Sequence, residues 1–399
     1  MGSRQEPIRS SVRVCLVTPH FPPARGTAAG VADRLVRGLS ARGFEVHVVV
    51  PSPDLPAQSM VVPSVAASRI SVYPIPASPL ALDQVARHVE RLDQMFRFDV
   101  FHGMLLHLAL ACATVADRGG RPLIVGIRSH ELDLLHTRGY DAVAASALRR
   151  ADWVAYSSAE AARDFRAIVD FSAKESFVPI AVDAKAFDPW FPTDHNRGVV
   201  GTVSSFRPQR LLPGLVDAYA ALPSSLRRRL VLIGETSGPK HAPIATEVGE
   251  AIRRTALEGE VEVTGRVQAA EVRRRLLDLN VFVRASQREG LPSAVLEAAA
   301  CGTPLIASTV GSIPEVFRDG ESALLVPPGD QVRLTGAIRA VLEDTRLAQR
   351  LSSGGQAVAR AFSPEQEQAA WQEVYRRCLR LDGGSTTEPG PSGNSSPRA

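Results

Sequence analysis

Lysine is nearly missing from this chain, which has only Lys174, Lys185 and Lys240 in 399 residues. Lys and Arg together number 46 against 42 Asp and Glu, so almost all the positive charge is arginine and the net charge is only +4. An excess this small and this dispersed argues against a nucleic-acid-binding protein. Because the guanidinium group forms bidentate contacts with phosphate, the arginine content is compatible with a ligand that carries phosphate.

Cysteine is also scarce, and the chain has no long hydrophobic run. The four cysteines are far apart and show neither metal-binding nor redox spacing, which favours a reducing compartment. No stretch approaches the roughly 18 apolar residues that a membrane-spanning helix needs, and the N-terminus does not have the pattern of a signal peptide. We therefore expect a soluble, cytoplasmic protein.

What the sequence does have is a regular alternation of short β-branched runs with helical patterns. It starts with RVCLVTPH, VADRLVRGLSARG and FEVHVVVPS, and it begins again with GVVGTVSSF and LVLIGET. This alternation is typical of βαβ units and a parallel sheet. It predicts an α/β protein with two doubly wound domains.

The domain boundaries follow from breaks in that alternation. We predict an N-terminal domain over residues 1–186, a proline-rich hinge over 187–197 and a C-terminal domain over 198–363. A last helix, 364–381, has an apolar stripe that is expected to pack back on the N-terminal domain. The tail, 382–399, is rich in Gly, Ser and Pro and is expected to be disordered.

Two carboxylates stand out in the segment REGLPSAVLEAAACGTP, residues 288–304, because no charged residue separates them. Glu289 is predicted in the loop after a buried strand. Glu297 is predicted one turn inside a helix that begins near Ser293 and ends at Gly302. In a parallel sheet this strand end is where ligands bind, with helix N–H groups offered to phosphate.

Several stretches carry a resemblance to a known family. They include REGLPSAVLEAAACGTPLIAS and VGSIPEVFRDGESALLVPPGD in the C-terminal half, and FPPARGTAAGVADRLVRGLSARGFEVHVV and IRSHELDLL in the N-terminal half. These stretches resemble retaining glycosyltransferases of family 4. The resemblance implies the GT-B architecture, in which two Rossmann-like domains face each other across a cleft.

The same resemblance implies an activity. It is the metal-independent transfer of a sugar, with retention, from a nucleotide diphosphate sugar to a hydroxyl or thiol of a small-molecule or lipid-linked acceptor. No cofactor is implied beyond the nucleotide sugar as co-substrate, for which UDP or GDP is expected. No carboxylate pair of the DxD type stands in a strand-end loop, so no metal site is predicted.

The resemblance also implies site residues. Glu297 is expected to bind the ribose hydroxyls, Glu289 the transferred sugar, and His130 the reacting face of that sugar. Base recognition is expected from backbone near Val267, and close backbone approach at Gly26. The full donor-binding set is Gly26, Arg207, Arg210, Val267, Glu289, Gly290, Leu291, Pro292, Ser293, Ala294 and Glu297.

Positive charge near the leaving diphosphate is the point where this sequence departs from the family. The family usually supplies an Arg and, five residues later, a Lys at the first turn of the C-terminal domain. In VSSFRPQRLL those positions are Ser205 and Arg210. We expect Arg210 to replace the Lys and Arg207 to supply the charge that Ser205 lacks. Catalytic roles are thus assigned to His130, Glu289, Arg210 and Arg207.

Other readings stay open at this point. A catalytically inactive, nucleotide-sugar-binding partner subunit is the main alternative. A glycan phosphorylase would need a pyridoxal phosphate lysine, for which Lys240 is unconvincing, and an epimerase would lack the paired glutamates. A basic helix around Arg87 and Arg91 could touch an anionic membrane, although a solvated face is favoured. A loop over 54–68 is expected to border the acceptor.

Overall fold

A computed structural model describes residues 11–24, 27–55, 64–67, 69–127, 131, 139–183 and 198–380. Within these ranges no helix is both long and apolar enough to cross a membrane.

The first half of the chain forms an eight-stranded sheet. Its strands are β1 (Arg13–Val17), β2 (Glu45–Pro51), β3 (Ser64–Ala67), β4 (Ile70–Ile75), β5 (Val100–Met104), β6 (Leu123–Ile127), β7 (Trp153–Tyr156) and β8 (Lys174–Phe177). The order across the sheet is β3-β4-β2-β1-β5-β6-β7-β8, and every pair is parallel except β3 with β4. The helices described with it are α1 (Thr27–Ser40), α2 (Leu82–Phe96), α3 (Leu106–Arg118), α4 (Tyr140–Arg150) and α5 (Ala159–Ile168).

The second half forms a six-stranded parallel sheet. Its strands are β9 (Val199–Val203), β10 (Arg229–Ile233), β11 (Val261–Gly265), β12 (Val281–Arg284), β13 (Leu305–Ser308) and β14 (Leu324–Val326), in the order β11-β10-β9-β12-β13-β14. Its helices are α6 (Leu212–Ala220), α7 (Ala242–Arg254), α8 (Ala269–Leu277), α9 (Ser293–Cys301), α10 (Ile313–Val316), α11 (Gln331–Glu343) and α12 (Thr345–Arg360), with 3₁₀ turns at Pro208–Arg210 and Ser224–Leu226.

Two doubly wound α/β domains are therefore present, and the predicted fold class is confirmed. Each sheet has buried apolar strands and large core clusters on its faces, as parallel sheets require. Two details differ from the sequence prediction. The expected loop over 54–68 contains the antiparallel edge strand β3, and β8 follows α5 as a short edge strand that periodicity did not indicate.

The last helix, α13 (Pro364–Cys378), lies against α1, β7 and β8 of the first domain. Its buried Tyr375 makes a 2.8 Å hydrogen bond to Nδ1 of His102, and Glu367 forms an ion pair with Arg34. Just before the helix, the backbone N–H of Val182 donates to the carbonyl of Phe362 at 2.7 Å. The predicted hinge over 187–197 and tail over 382–399 lie outside the described residues.

The strand order of the second sheet reverses between β9 and β12, which are neighbours in the sheet. In open α/β sheets, ligands bind outside the carboxyl ends of the strands at such a switch point. Two loops leave the sheet there, residues 204–211 after β9 and 285–292 after β12. They are joined by a 2.9 Å hydrogen bond from the N–H of Gln287 to the carbonyl of Gln209.

Candidate active site

A cleft with a volume of about 770 Å³ opens at this switch point. The C-terminal domain lines it with both strand-end loops and with the start of α9, and the N-terminal domain contributes residues that include Ser157, Glu160, Asp164 and Ile180. This volume is in the range of cavities that hold a small-molecule ligand. The cleft therefore lies between the two domains.

Glu289 lies in the wall of the cleft, and only 4% of its side chain is exposed. Three groups converge on its Oε1 atom. The Nε of Arg284 donates at 2.6 Å, the hydroxyl of Ser286 donates at 2.8 Å, and Nη1 of Arg210 forms an ion pair. The carboxylate is thus held in one orientation.

These partners decide the charge state of Glu289. Burial acts to raise the pKa of the carboxyl group, but the positive charges of Arg284 and Arg210, with hydrogen bonds from Arg284 and Ser286, lower the pKa below its usual value. Burial and the neighbouring Arg284 in turn lower the pKa of Arg210. Glu289 is therefore an anion enclosed by cations.

The backbone of Glu289 is fixed by a second close approach. Gly311 has a φ of 62°, and a Cβ atom built there would lie 2.0 Å from the carbonyl oxygen of Glu289. Only glycine fits a left-handed conformation with so little room. The loop after β13 therefore presses directly on the loop that carries Glu289.

Arg207 and Arg210 both line the cleft from the loop after β9. The Nε atom of each is buried and has no hydrogen-bond partner among the described residues. Guanidinium groups of residues that line a cleft can form charge-assisted hydrogen bonds with an anion bound there. Ser205 lies in the same wall but brings no charge.

The helix α9 points its N-terminus into the cleft. Gly290, Leu291, Pro292, Ser293 and Ala294 line the cavity wall, as does Val267 after β11. The helix begins at Ser293, and Gly302, with a φ of 77°, ends it. A helix N-terminus offers backbone N–H groups and a partial positive charge, both suited to phosphate.

Glu297 does not line the cavity. It lies one turn further into α9, and burial raises the pKa of its carboxyl group, with partial opposition from a hydrogen bond from Ser293. Its link to the cleft is through Ser293, which does line it. The two glutamates of the segment therefore lie in different environments.

The opposite wall carries carboxylates. Oε2 of Glu160 on α5 is buried and has no hydrogen-bond partner among the described residues. Burial, Asp164 and Glu315 raise the pKa of Glu160 to about 7, against the lowering effect of Arg163 and Arg288. Arg163 also forms an ion pair with Glu315, at 2.5 Å, which joins α5 of the N-terminal domain to α10 of the C-terminal domain.

Two of the residues assigned from sequence, His130 and Gly26, lie outside the described residues. Sequence reasoning missed Arg284, whose Nε donates to Oε1 of Glu289 at 2.6 Å. One signal was available, since a lone arginine in the apolar run NVFVRAS must find a partner if the strand is buried. It also missed Glu160.

No metal centre is evident in the part of the chain that the structure describes. There, no group of three or more His, Cys, Asp or Glu side chains is arranged to hold an ion.

Comparison with family models agrees with this geometry. The model described as "Glycosyl transferase 4-like domain" matches residues 10–181, and the model described as "Glycosyl transferases group 1" matches residues 185–358. Together the two models cover most of the chain, including the cleft walls. The chain belongs to the glycosyltransferases of this type, which transfer a sugar from a nucleotide sugar.

Curated relatives carry corresponding names. N-acetyl-alpha-D-glucosaminyl L-malate synthase of Bacillus anthracis is 24% identical over 90% of this chain and 96% of its own length. D-inositol 3-phosphate glycosyltransferase of Acidothermus cellulolyticus is 25% identical over 92% of this chain and 90% of its own length.

Solved structures share the fold. Sucrose-phosphate synthase from Thermosynechococcus elongatus superposes with a TM-score of 0.79 at 20% identity, over 93% of this chain and 100% of its own. HepE of Anabaena, solved in complex with UDP-glucose, superposes with a TM-score of 0.74 at 17% identity, over 92% of this chain and 99% of its own. These likenesses establish the GT-B arrangement.

Proposed function

We propose that this glycosyltransferase is retaining and metal-independent, and that it transfers a sugar from a UDP- or GDP-sugar to a hydroxyl of a small-molecule acceptor. The observation that carries the proposal is that Arg207 and Arg210 line the cleft together with the N-terminus of α9. Fixed positive groups of this kind stabilise the charge that develops on a leaving diphosphate. They take the part that a bound cation plays in metal-dependent transfer.

In this proposal Glu289 contacts the transferred sugar and Glu297 the ribose. A carboxylate accepts hydrogen bonds from hydroxyls when it is ionised, and the arginines around Glu289 keep it ionised. Glu297 lies behind Ser293, which lines the cleft, and we infer that it accepts hydrogen bonds from the ribose hydroxyls there. Arg207 supplies the charge that Ser205 does not.

In this proposal the acceptor binds at the N-terminal wall of the cleft, which Glu160 and Ile180 line. Two relatives support a small hydroxyl-bearing acceptor by their names, an L-malate synthase and an inositol 3-phosphate glycosyltransferase. The turnover assay described below can also be run with thiol and lipid-linked acceptors. Retention follows if the leaving phosphate oxygen takes the acceptor proton on the face that it vacates.

The test is turnover with UDP-, GDP-, ADP- and TDP-sugars against a panel of hydroxy acids, polyols and polyol phosphates, each with and without EDTA. We expect one nucleotide to support transfer at the same rate with EDTA, and NMR of the product to show the anomeric configuration of the donor. Loss of activity in EDTA that Mg²⁺ restores would refute metal independence. An inverted product would refute retention.

Binding and turnover separate this proposal from an inactive partner subunit. A nucleotide sugar that raises the melting temperature shows that the site is occupied. Binding with no transfer to any acceptor, including water, would favour the inactive subunit.

A further inference from the structure

Arg284 is the last residue of β12, a strand in which all four residues are buried. The residue is 5% exposed, and its charge lies at the junction of the sheet and the cleft. Arginine is almost never so buried unless it is paired, because removing its charge from water is costly. Its partners therefore indicate what it does.

Those partners lie on both sides of the switch point. Its Nη1 donates to the carbonyl of Val203 at 2.7 Å, at the end of β9, and its Nε donates to Oε1 of Glu289 at 2.6 Å. The guanidinium thus bridges the two strands whose loops form the cleft floor. A planar, rigid group of this kind fixes both distance and angle.

The contacts to Glu289 are one-sided. Arg284, Arg210 and Ser286 all reach Oε1, and none of these three contacts is to Oε2. Two of the donor atoms of Arg284 are used within the protein, for Val203 and Glu289. Arg207 and Arg210 line the same cleft, and the Nε atom of each is without a hydrogen-bond partner among the described residues. Arg284 is therefore arranged to hold the carboxylate of Glu289 and the end of β9 together, and Arg210 shares only the contact with Glu289.

We propose that Arg284 is a positioning residue that fixes Oε1 of Glu289 and presents Oε2 to a hydroxyl of the donor sugar. The proposal rests on the proposed function, since it assumes that Glu289 meets the sugar. It predicts that Arg284 affects the sugar step and not the binding of the nucleotide diphosphate. A direct diphosphate ligand would do the opposite.

The experiment compares wild type with Arg284→Met, Arg284→Lys, Glu289→Gln and the double variant Arg284→Met/Glu289→Gln. Arg275→Met is the matched control, because Arg275 likewise bridges two acceptor groups, here the carboxylates of Glu262 and Glu271, but lies outside the cleft lining. Each variant is measured for kcat, KM, the pH dependence of kcat/KM and the affinity for UDP or GDP alone.

We expect Arg284→Met to lower kcat by roughly 100-fold, the scale of losing one preorganised electrostatic contact. The affinity for the nucleotide diphosphate should stay within about 3-fold of wild type, since a residue that acts only through Glu289 should not alter diphosphate binding. The acidic limb of the pH profile should move to higher pH, because the largest of the groups that lower the Glu289 pKa is gone. Arg284→Lys, which keeps the charge, should restore part of kcat and return the limb toward its wild-type position.

The double variant tests whether Arg284 acts through Glu289. In the Glu289→Gln background, adding Arg284→Met should lower kcat by less than about 3-fold further, since the effects of residues that act as a unit are not additive. This variant removes both buried charges, so it also serves if Arg284→Met alone fails to fold. Additive losses, or a tenfold fall in nucleotide diphosphate affinity, would overturn the proposal. Wild type that turns over no nucleotide sugar would instead refute the proposed function.

Discussion

The loop after β12 and the first turns of α9 each contain one carboxylate of the same short segment, and the pKa values of these two carboxyl groups are shifted in opposite directions. In the loop, Glu289 has three donors on one oxygen and a lowered pKa. In the helix, Glu297 has a raised pKa because burial outweighs its hydrogen bond from Ser293. The comparison teaches that neighbouring cations, and not burial alone, decide whether a buried carboxyl is ready to act as an anion.

The largest effect is expected from Glu289→Gln, which keeps the shape but removes the charge. We expect kcat to fall by about 100- to 1000-fold, as for loss of one preorganised group in an active site. KM for the nucleotide sugar should change far less. Steady-state kinetics measure both, with Glu271→Gln, outside the cleft lining, as the control. A rise in KM with kcat unchanged would instead mean that Glu289 contributes only to binding of the substrate in its ground state.

A smaller effect is expected from Glu297→Gln, which tests the helix side of the comparison. The affinity for UDP or GDP should fall about 10-fold at pH 7.5, as for loss of a hydrogen bond to a charged group. As the pH falls, Glu297 becomes protonated and the difference in nucleotide affinity between wild type and Glu297→Gln should disappear. Because the pKa of Glu297 is raised, this should happen at a higher pH than it would for a glutamate with an ordinary pKa. Titration calorimetry across pH measures this.

The control for that variant is Glu250→Gln, an exposed glutamate on α7. An affinity gap between wild type and Glu297→Gln that stays constant from pH 7.5 to pH 5 would show that the charge of Glu297 is not what binds.

The smallest effect is expected from Glu160→Gln on the opposite wall, where burial and neighbouring carboxylates outweigh the lowering effect of Arg163 and Arg288 on the pKa. Its pKa is raised to about 7, so the folded state prefers the protonated form, and stability falls as the pH rises through about 7. The neutral variant should be as stable as wild type at pH 5 and should melt about 1–2 °C higher at pH 8. Differential scanning fluorimetry measures this.

Glu258→Gln, on the exposed surface, is the matched control for the melting experiment. If Glu160→Gln were less stable than wild type at pH 8, the ionised carboxylate would be a favourable partner of Arg163 or Arg288.

Much of the architecture was predictable because it depends on patterns that local sequence carries. Alternating apolar runs and helical periodicity are enough to predict two doubly wound domains, and Gly302 marks the end of α9. Strand β3 was not predictable in this way, since its four residues, SVAA, carry no clear alternation. Edge pairing of that kind depends on the neighbour β4 and not on the segment itself.

The site was predictable only where a motif carries it. The segment around Glu289 has such a motif. Arg207 and Arg210, chosen for the charge that a diphosphate needs, do line the cleft, and their role toward a diphosphate stays a prediction. Arg284 and Glu160 did not follow, because their roles come from contacts between residues distant in sequence, such as Arg284 with Val203. A buried arginine in an apolar strand is a signal that a paired anion exists, but not which one.

The hydrogen bond between Val182 and Phe362 has a consequence for motion. The chain passes between the domains twice, and this bond ties the two crossings to each other, while α13 anchors the second crossing to the first domain. Two crossings that are tied together restrict sliding of one domain past the other more than they restrict rotation. We therefore expect that any change in the width of the cleft would be chiefly a rotation about an axis near these crossings.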